Sequence, residues 1–396
     1  MQAPAIDAPA SEWLVYGDAL QEAGDPRGEL IGLSHAVAEG RTSADIRDAY
    51  VKEHARALLG EAAPHFAAYS FDWRFCVPLG VTVHVASPDD LLGPLLAAPI
   101  MSNLRSIALV GQATPGKPVT LEGAMRKLVE GRPPTCRSFA FVDERAAKAS
   151  MLVSRDFDPD TNLVAFGPLK PLFAIAEELR LEVADSYQLD LEAIDAPALR
   201  AFTLNSLRFT DWEEAEVMAT RLGAAKWPAL ERFELRLTET WFANIPFETN
   251  PYVPVYSAPD EDEEEGTSRY DDEAEEGEPG GVNWNVLGDL LRTLRKCPLR
   301  RLALTGFYTG GSLLETIGEV GLASTLEELD FSDSAFDDEH AAWIAANPTA
   351  FRGLKRIILS RTPVGEAGLA TLKKLGPEIV HSAGDGTSYR YVVGQE

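Results

Sequence analysis

Two segments come near the donor spacing that site chemistry needs. Asp156-Phe157-Asp158-Pro159-Asp160-Thr161-Asn162 alternates oxygen donors in the way a calcium loop begins. An EF-hand loop would require glycine where Thr161 stands and a bidentate glutamate where Gly167 stands, so a turn between structural units is expected instead. Gly306 to Ser312 is glycine-rich, with Gly310-Gly311-Ser312, but lacks the lysine and spacing of a phosphate-binding loop. Its expected role is to turn a strand into a helix. The histidines at 35, 54, 65, 84, 340 and 381 form no H-x-x-x-H pair, so neither a metal pair nor an obvious general base emerges. Cys76, Cys136 and Cys297 lie far apart with no CxxC, against both a disulfide framework and a zinc site. No G-x-S-x-G elbow is present. The expectation is a protein with no cofactor, no bound metal and no catalytic activity.

Charge narrows the partners. The net charge of -26 repels nucleic-acid phosphate and anionic membrane, and accommodates a basic partner. Asp260 to Glu278 alone holds twelve carboxylates against Arg269, or -11 of the total. No stretch approaches the ~18 consecutive apolar residues of a membrane span. Met1 to Ser11 has no basic region and no apolar run, which argues against a secretory leader. A cytoplasmic location is expected.

Any such residues must be positioned by a repeated element. The template L-x-x-L-x-L recurs as Leu104/Ile107/Leu109, Leu199/Phe202/Leu204, Leu230/Phe233/Leu235, Leu299/Leu302/Leu304, Leu326/Leu329/Phe331 and Leu354/Ile357/Leu359. Degenerate copies begin at Cys136 (Phe139, Phe141) and Ala176 (Leu179, Leu181), and Val81/Val83/Val85 is a first copy. The last three anchors are 27 and 28 residues apart, and the 69 residues between Leu230 and Leu299 make one period plus an insertion. A short strand turns alternate apolar side chains inward but cannot bury them alone. Stacked copies therefore pair as one parallel sheet, each returning through a helix. Trp284 to Leu294, Asp337 to Ala346 and Gly365 to Leu375 carry the required helical stripes.

Ahead of the repeats, Ser11 to Ala23 reads as a helix stopped by Gly24, and Asp25-Pro26 starts a second as N-cap and first helical residue. Thr42 and Asp45 have capping-box spacing before a third helix with Ile46, Tyr50, His54, Leu58 and Leu59. The run Tyr16-Gly17-Asp18-Ala19-Leu20-Gln21-Glu22-Ala23-Gly24-Asp25-Pro26-Arg27-Gly28-Glu29-Leu30-Ile31-Gly32-Leu33 resembles the bacterial repeat-companion domain, a short N-terminal module on repeat proteins. Asp18, Leu20, Gly24-Asp25-Pro26 and Gly28-Glu29 match that family's pattern, and Ala19 stands where tryptophan is usual. Residues 75 to 380 resemble leucine-rich-repeat proteins of ribonuclease-inhibitor type. The resemblance implies an α/β leucine-rich-repeat solenoid with a parallel concave sheet and convex helices, acting as a recognition scaffold without known catalysis.

The expected organisation is a flexible N-terminus (1–10), a helical cap (11–70), the repeats (71–380) interrupted by a Pro-rich and acidic insertion (241–282), and a tail (381–396). Strand residues facing away from the core form the candidate binding face: Glu178, Arg180, Glu182, Ala201, Thr203, Asn205, Arg232, Glu234 and Arg236, then Arg301, Glu328, Asp330 and Arg356. In register, Arg301, Glu328 and Arg356 make an alternating-charge row that can neutralise itself. The insertion offers Trp241, Phe242, Phe247, Tyr252 and Tyr256 among prolines that disallow helix or ladder, followed by the acidic run. It is either an inert solvated loop or a docking segment. Three functions remain open: a scaffold for a basic protein, a stoichiometric inhibitor of a basic enzyme such as a nuclease, or a hydrolase or transferase with a dispersed site.

Overall fold

The computed structural model describes residues 2–86, 90–112, 119–144, 164–183, 189, 191–206, 212–236, 284–306, 310–334 and 336–382. The insertion at 241–282 and the Asp156–Asn162 segment lie outside these residues.

The chain begins with helices whose ends follow from local chemistry. Helix Ala10–Glu22 stops ahead of Gly24, whose φ of +70° costs little without a Cβ. Asp25 then caps helix Pro26–Ala38, its carboxylate accepting from the Arg27 amide at 2.9 Å, with Pro26 in the first helical position. The hydrogen-bonded Arg27 guanidinium holds the Asp25 carboxyl below its ordinary value. The two helices cross where Gly28 meets the backbone of Gly17 and Gln21. Helix Ala44–Glu53 starts from Ser43, which makes no side-chain cap bond, so the Thr42/Asp45 capping box is not formed. Thr42 stands one residue too early to be the N-cap. Residues before the first helix, expected to be flexible, are anchored: the Trp13 indole donates to the Ala5 carbonyl at 3.2 Å.

Helix Ala55–Leu59 and the 3-10 turn Gly60–Ala68 lead into the strands β1 (Tyr69–Arg74), β2 (Val77–Val85), β3 (Ser106–Gly111), β4 (Val119–Thr120), β5 (Ser138–Asp143), β6 (Val164–Ala165), β7 (Glu178–Val183), β8 (Ala201–Ser206), β9 (Arg232–Arg236), β10 (Arg301–Thr305), β11 (Glu328–Asp330), β12 (Arg356–Ile358) and β13 (Glu378–Val380). Eleven form one sheet in the order β1-β2-β3-β5-β7-β8-β9-β10-β11-β12-β13, and β4 pairs with β6 separately. The fold is mixed α/β with a large sheet whose strand order follows the chain. Every repeat copy read from the sequence supplies one strand of it. All neighbours pair in parallel except β1 and β2, an antiparallel hairpin with a register shift at Asp72/Trp73. The all-parallel expectation therefore fails at this first pair. The two-residue turn at Phe75-Cys76 is too short for a crossover, so the strand must reverse.

Register explains the template. Val81, Ile107, Phe139, Leu179, Phe202, Phe233, Leu302, Leu329 and Ile357 are successive cross-strand partners, and all are buried on one side of the sheet. The leading residue of each copy, from Leu104 through Leu326, is buried beneath the turn into its strand. One continuous core runs from Trp13 in the cap to Leu372 near the other end. Helices Glu122–Gly131, Lys170–Phe173, Trp212–Gly223, Trp284–Leu294, Gly310–Glu319, Asp338–Ala346 and Glu366–Lys373 lie between the strands. The expected helix between β7 and β8 is missing among the described residues. There Leu191, Ile194 and Ala196 fill the layer from an irregular backbone that ends at Pro197. Neighbouring units are also joined through their helices, because Asp338 accepts from the amides of Gly365 (2.8 Å) and Gly368 (3.0 Å) at the start of the next one.

Candidate binding face

The other side of the sheet presents its residues in rows fixed by the same register. Nearest the strand starts run Asp72, Gly80, Ser106, Ser138, Glu178, Ala201, Arg232, Arg301, Glu328, Arg356 and Glu378. The next row runs Ser70, Thr82, Ala108, Ala140, Arg180, Thr203, Glu234, Ala303 and Asp330. A third holds His84, Val110, Val142, Glu182, Asn205, Arg236 and Thr305. The first two rows line a groove of about 590 Å3 reaching from β1 to Arg301 on β10.

Most of the charge here is matched within the sheet. Arg301 Nε reaches Glu328 at 3.1 Å, and Arg356 bridges Glu328 at 3.5 Å and Glu378 at 3.6 Å, so the alternating row does neutralise itself. Arg232 spans the short Ala201 to reach Glu178 at 2.5 Å, and Ser138 donates to the same carboxylate at 3.2 Å. Arg180 pairs with Glu182 two residues along its own strand. Arg236 approaches Asp333 at 3.5 Å, and Asp333 is also held by Arg361. Exposed pairs of this kind contribute about 0–1 kcal/mol each, so they set shape and register more than stability. Among the described residues, Asp72 and Glu234 are the groove-lining carboxylates without an ion-pair partner.

Of the residues expected to bind a partner, Glu178, Arg180, Arg232 and Glu234 line the groove. Glu182, Asn205 and Arg236 share the same side of the sheet but stand in the third row, outside it, and Glu182 is buried. Trp241, Phe242, Phe247, Tyr252 and Tyr256 lie outside the described residues. The sequence reading missed the half of the groove made by Asp72, Gly80, Ser106, Ala108, Ser138 and Ala140. Its signal was the small residue placed between each pair of inward apolar anchors on β3 and β5.

Thiol chemistry is suppressed at each cysteine. Burial pushes Cys76 up to about 11, Cys136 up to about 12 and Cys297 up to about 11, leaving all three as neutral thiols near pH 7. His340 accepts from the Asp337 amide at 3.1 Å and completes a capping box, a structural use. Among the described residues no group of three His, Cys, Asp or Glu could hold a metal ion, and no helix is long and apolar enough to cross a membrane.

Neither a protein-family model nor a curated protein matches the chain. Among solved structures, a Bacteroides fragilis protein is similar over 74% of this chain and 69% of its own, at 14% identity and a TM-score of 0.46. An internalin from Listeria monocytogenes is similar over 83% of this chain and 94% of its own, at 13% identity and a TM-score of 0.22. At these values the fold assignment rests on the sheet itself.

Proposed function

We propose that this chain is a leucine-rich-repeat solenoid of ribonuclease-inhibitor type behind a helical cap of repeat-companion kind, and that it is a non-catalytic scaffold binding a protein partner on the open side of its sheet. Support for the repeat reading comes from the buried template positions and from a strand order that follows the chain, which is how stacked units share one core. The binding reading is carried by one observation, the groove along the outward rows with Asp72 and Glu234 unmatched among the described residues at its two flanks. Those carboxylates and the chain's net charge of -26 favour a partner with a basic surface. The acidic run from Asp260 to Glu278 adds long-range attraction, and the aromatics at Trp241, Phe242, Phe247, Tyr252 and Tyr256 add anchors in the same insertion.

The test is capture of the partner by the intact chain, followed by titration of the purified pair at low and high salt. The double reversal Asp72→Lys/Glu234→Lys is expected to weaken binding about tenfold or more, equivalent to about 1.4 kcal/mol or more. Removing residues 259–279 through a short flexible linker is expected to leave the melt nearly unchanged while lowering affinity and its salt dependence, since exposed charges are screened beyond ~8 Å at physiological ionic strength. Undiminished affinity in the double reversal contradicts the assignment of the groove. Unchanged salt dependence in the deletion makes the acidic run inert.

A further inference from the structure

The groove is not uniform, and its first half has dimensions of its own. On β2, β3 and β5 the two outward rows consist of Gly80, Ser106 and Ser138, then Thr82, Ala108 and Ala140. No side chain in this floor is larger than threonine. A Cβ added to Gly80 would stand 2.7 Å from Ser106 Oγ, so the floor is tightly closed along the first row. Larger side chains rise on both flanks, Asp72 on β1 and Glu178 and Arg180 on β7. Four strand spacings separate those flanks, or about 19 Å at ~4.8 Å each.

We infer that this trough seats an α-helix of the partner protein, lying along the strands above β3 with a lysine or arginine of the helix against Asp72. The inference rests on the open-face reading above and names what occupies one part of it. An α-helix with its side chains is about 10–12 Å across, which fills the floor and leaves room for the flanking residues. A single extended strand, at about 5 Å, would leave most of the floor uncovered. The shallow floor also lets the helix bring bulky aliphatic side chains of its own, since the sheet supplies none here.

Charge sets the flanking chemistry. Glu178 is taken by Arg232 and Arg180 by Glu182, which leaves exposed Asp72 as the charge of the trough without an ion-pair partner among the described residues. At the end where β3 begins stands Arg105, exposed and without an ion-pair partner among the described residues. Asp72 stands in the adjoining row, so this end of the trough presents one charge of each sign to the helix.

The test uses the full chain and two phage-displayed libraries as probes, one randomised on a single helix of a three-helix scaffold, the other on an extended loop. The helix library is expected to dominate the selected clones, with Lys or Arg enriched on one flank of the helix. Their affinity is expected to fall about tenfold or more in Ala108→Phe, which fills the trough, and severalfold in Asp72→Asn, while Thr203→Phe beyond Arg180 leaves it unchanged. Thermal melts check that Ala108→Phe folds, and the conservative Asp72→Asn reads the contact independently. Enrichment of the loop library, or clones indifferent to both Ala108→Phe and Asp72→Asn, overturns the inference. Clones lost in Thr203→Phe but kept in Ala108→Phe overturn the trough while leaving the open face as the binding surface. Clones insensitive to all three variants remove both.

Discussion

Leu329→Ala lowers the free energy of unfolding by about 2–5 kcal/mol, because it removes a fully buried side chain from a row that cannot close over the gap. Leu329 on β11 is flanked across the sheet by Leu302 and Ile357, each also fully buried, and the backbone ladder holds all three at fixed spacing. The cavity is therefore shared by three units, and a loss at the upper part of the range is expected. The neighbouring Glu328→Ala serves as the contrast. It points to the other side, where it bridges Arg301 and Arg356 at partly exposed positions, and its removal should cost about 1 kcal/mol or less. Denaturant titration of both variants checks the difference. Equal and small effects would mean that the template leucines do not carry the core.

Gly28→Ala destabilises the cap although alanine is the better helix former. Propensity alone favours the substitution by ~0.8–1.0 kcal/mol. Against this, the new Cβ would stand 2.6 Å from both the Gln21 amide nitrogen and the Gly17 carbonyl oxygen, and those backbone atoms belong to the packed first helix. Neither can rotate away as a side-chain end would, so the helices Ala10–Glu22 and Pro26–Ala38 must separate. Overpacking of this kind costs about 1–3 kcal/mol, and the larger Gly28→Val exceeds it. Gly32 lies one turn further along the same helix with nothing within 4 Å of an added Cβ. Gly32→Ala should therefore stabilise by up to ~1 kcal/mol. Opposite signs for Gly28→Ala and Gly32→Ala in one melting series are the expected result, and two stabilised variants would contradict the close helix crossing.

The repeat was legible because burial constrains the template positions so tightly. An inward residue such as Phe202 or Leu302 must be large and apolar, and that requirement survives even in the degenerate copies at Cys136 and Ala176. Helix starts were legible from an apolar stripe, as at Trp284–Leu294 and Glu366–Lys373, or from a capping aspartate. Asp25 and Asp337 each accept from amides of the first turn, whereas Thr42 matched the capping spacing and is not the N-cap. β1 escaped notice because Tyr69–Arg74 carries no repeat anchor and reverses direction through a two-residue turn. The site was half legible. Charged outward residues such as Glu178 and Arg232 stand out in sequence, but small ones do not, and Ala108 or Ser138 becomes a floor only once register places it beside its neighbours. Alternation likewise placed Glu182 on the open side but could not reveal that it is buried there and paired with Arg180.

The central claim is that the partner covers the open side of the sheet and leaves the helical side free. Carboxyl footprinting of the full chain, with and without the captured partner, measures this directly. Labelling of Asp72 and Glu234 is predicted to fall on binding, while Glu315 and Glu366, exposed on helices between the strands, label equally in both states. Protection of Glu315 and Glu366 with Asp72 and Glu234 still fully labelled would contradict the account.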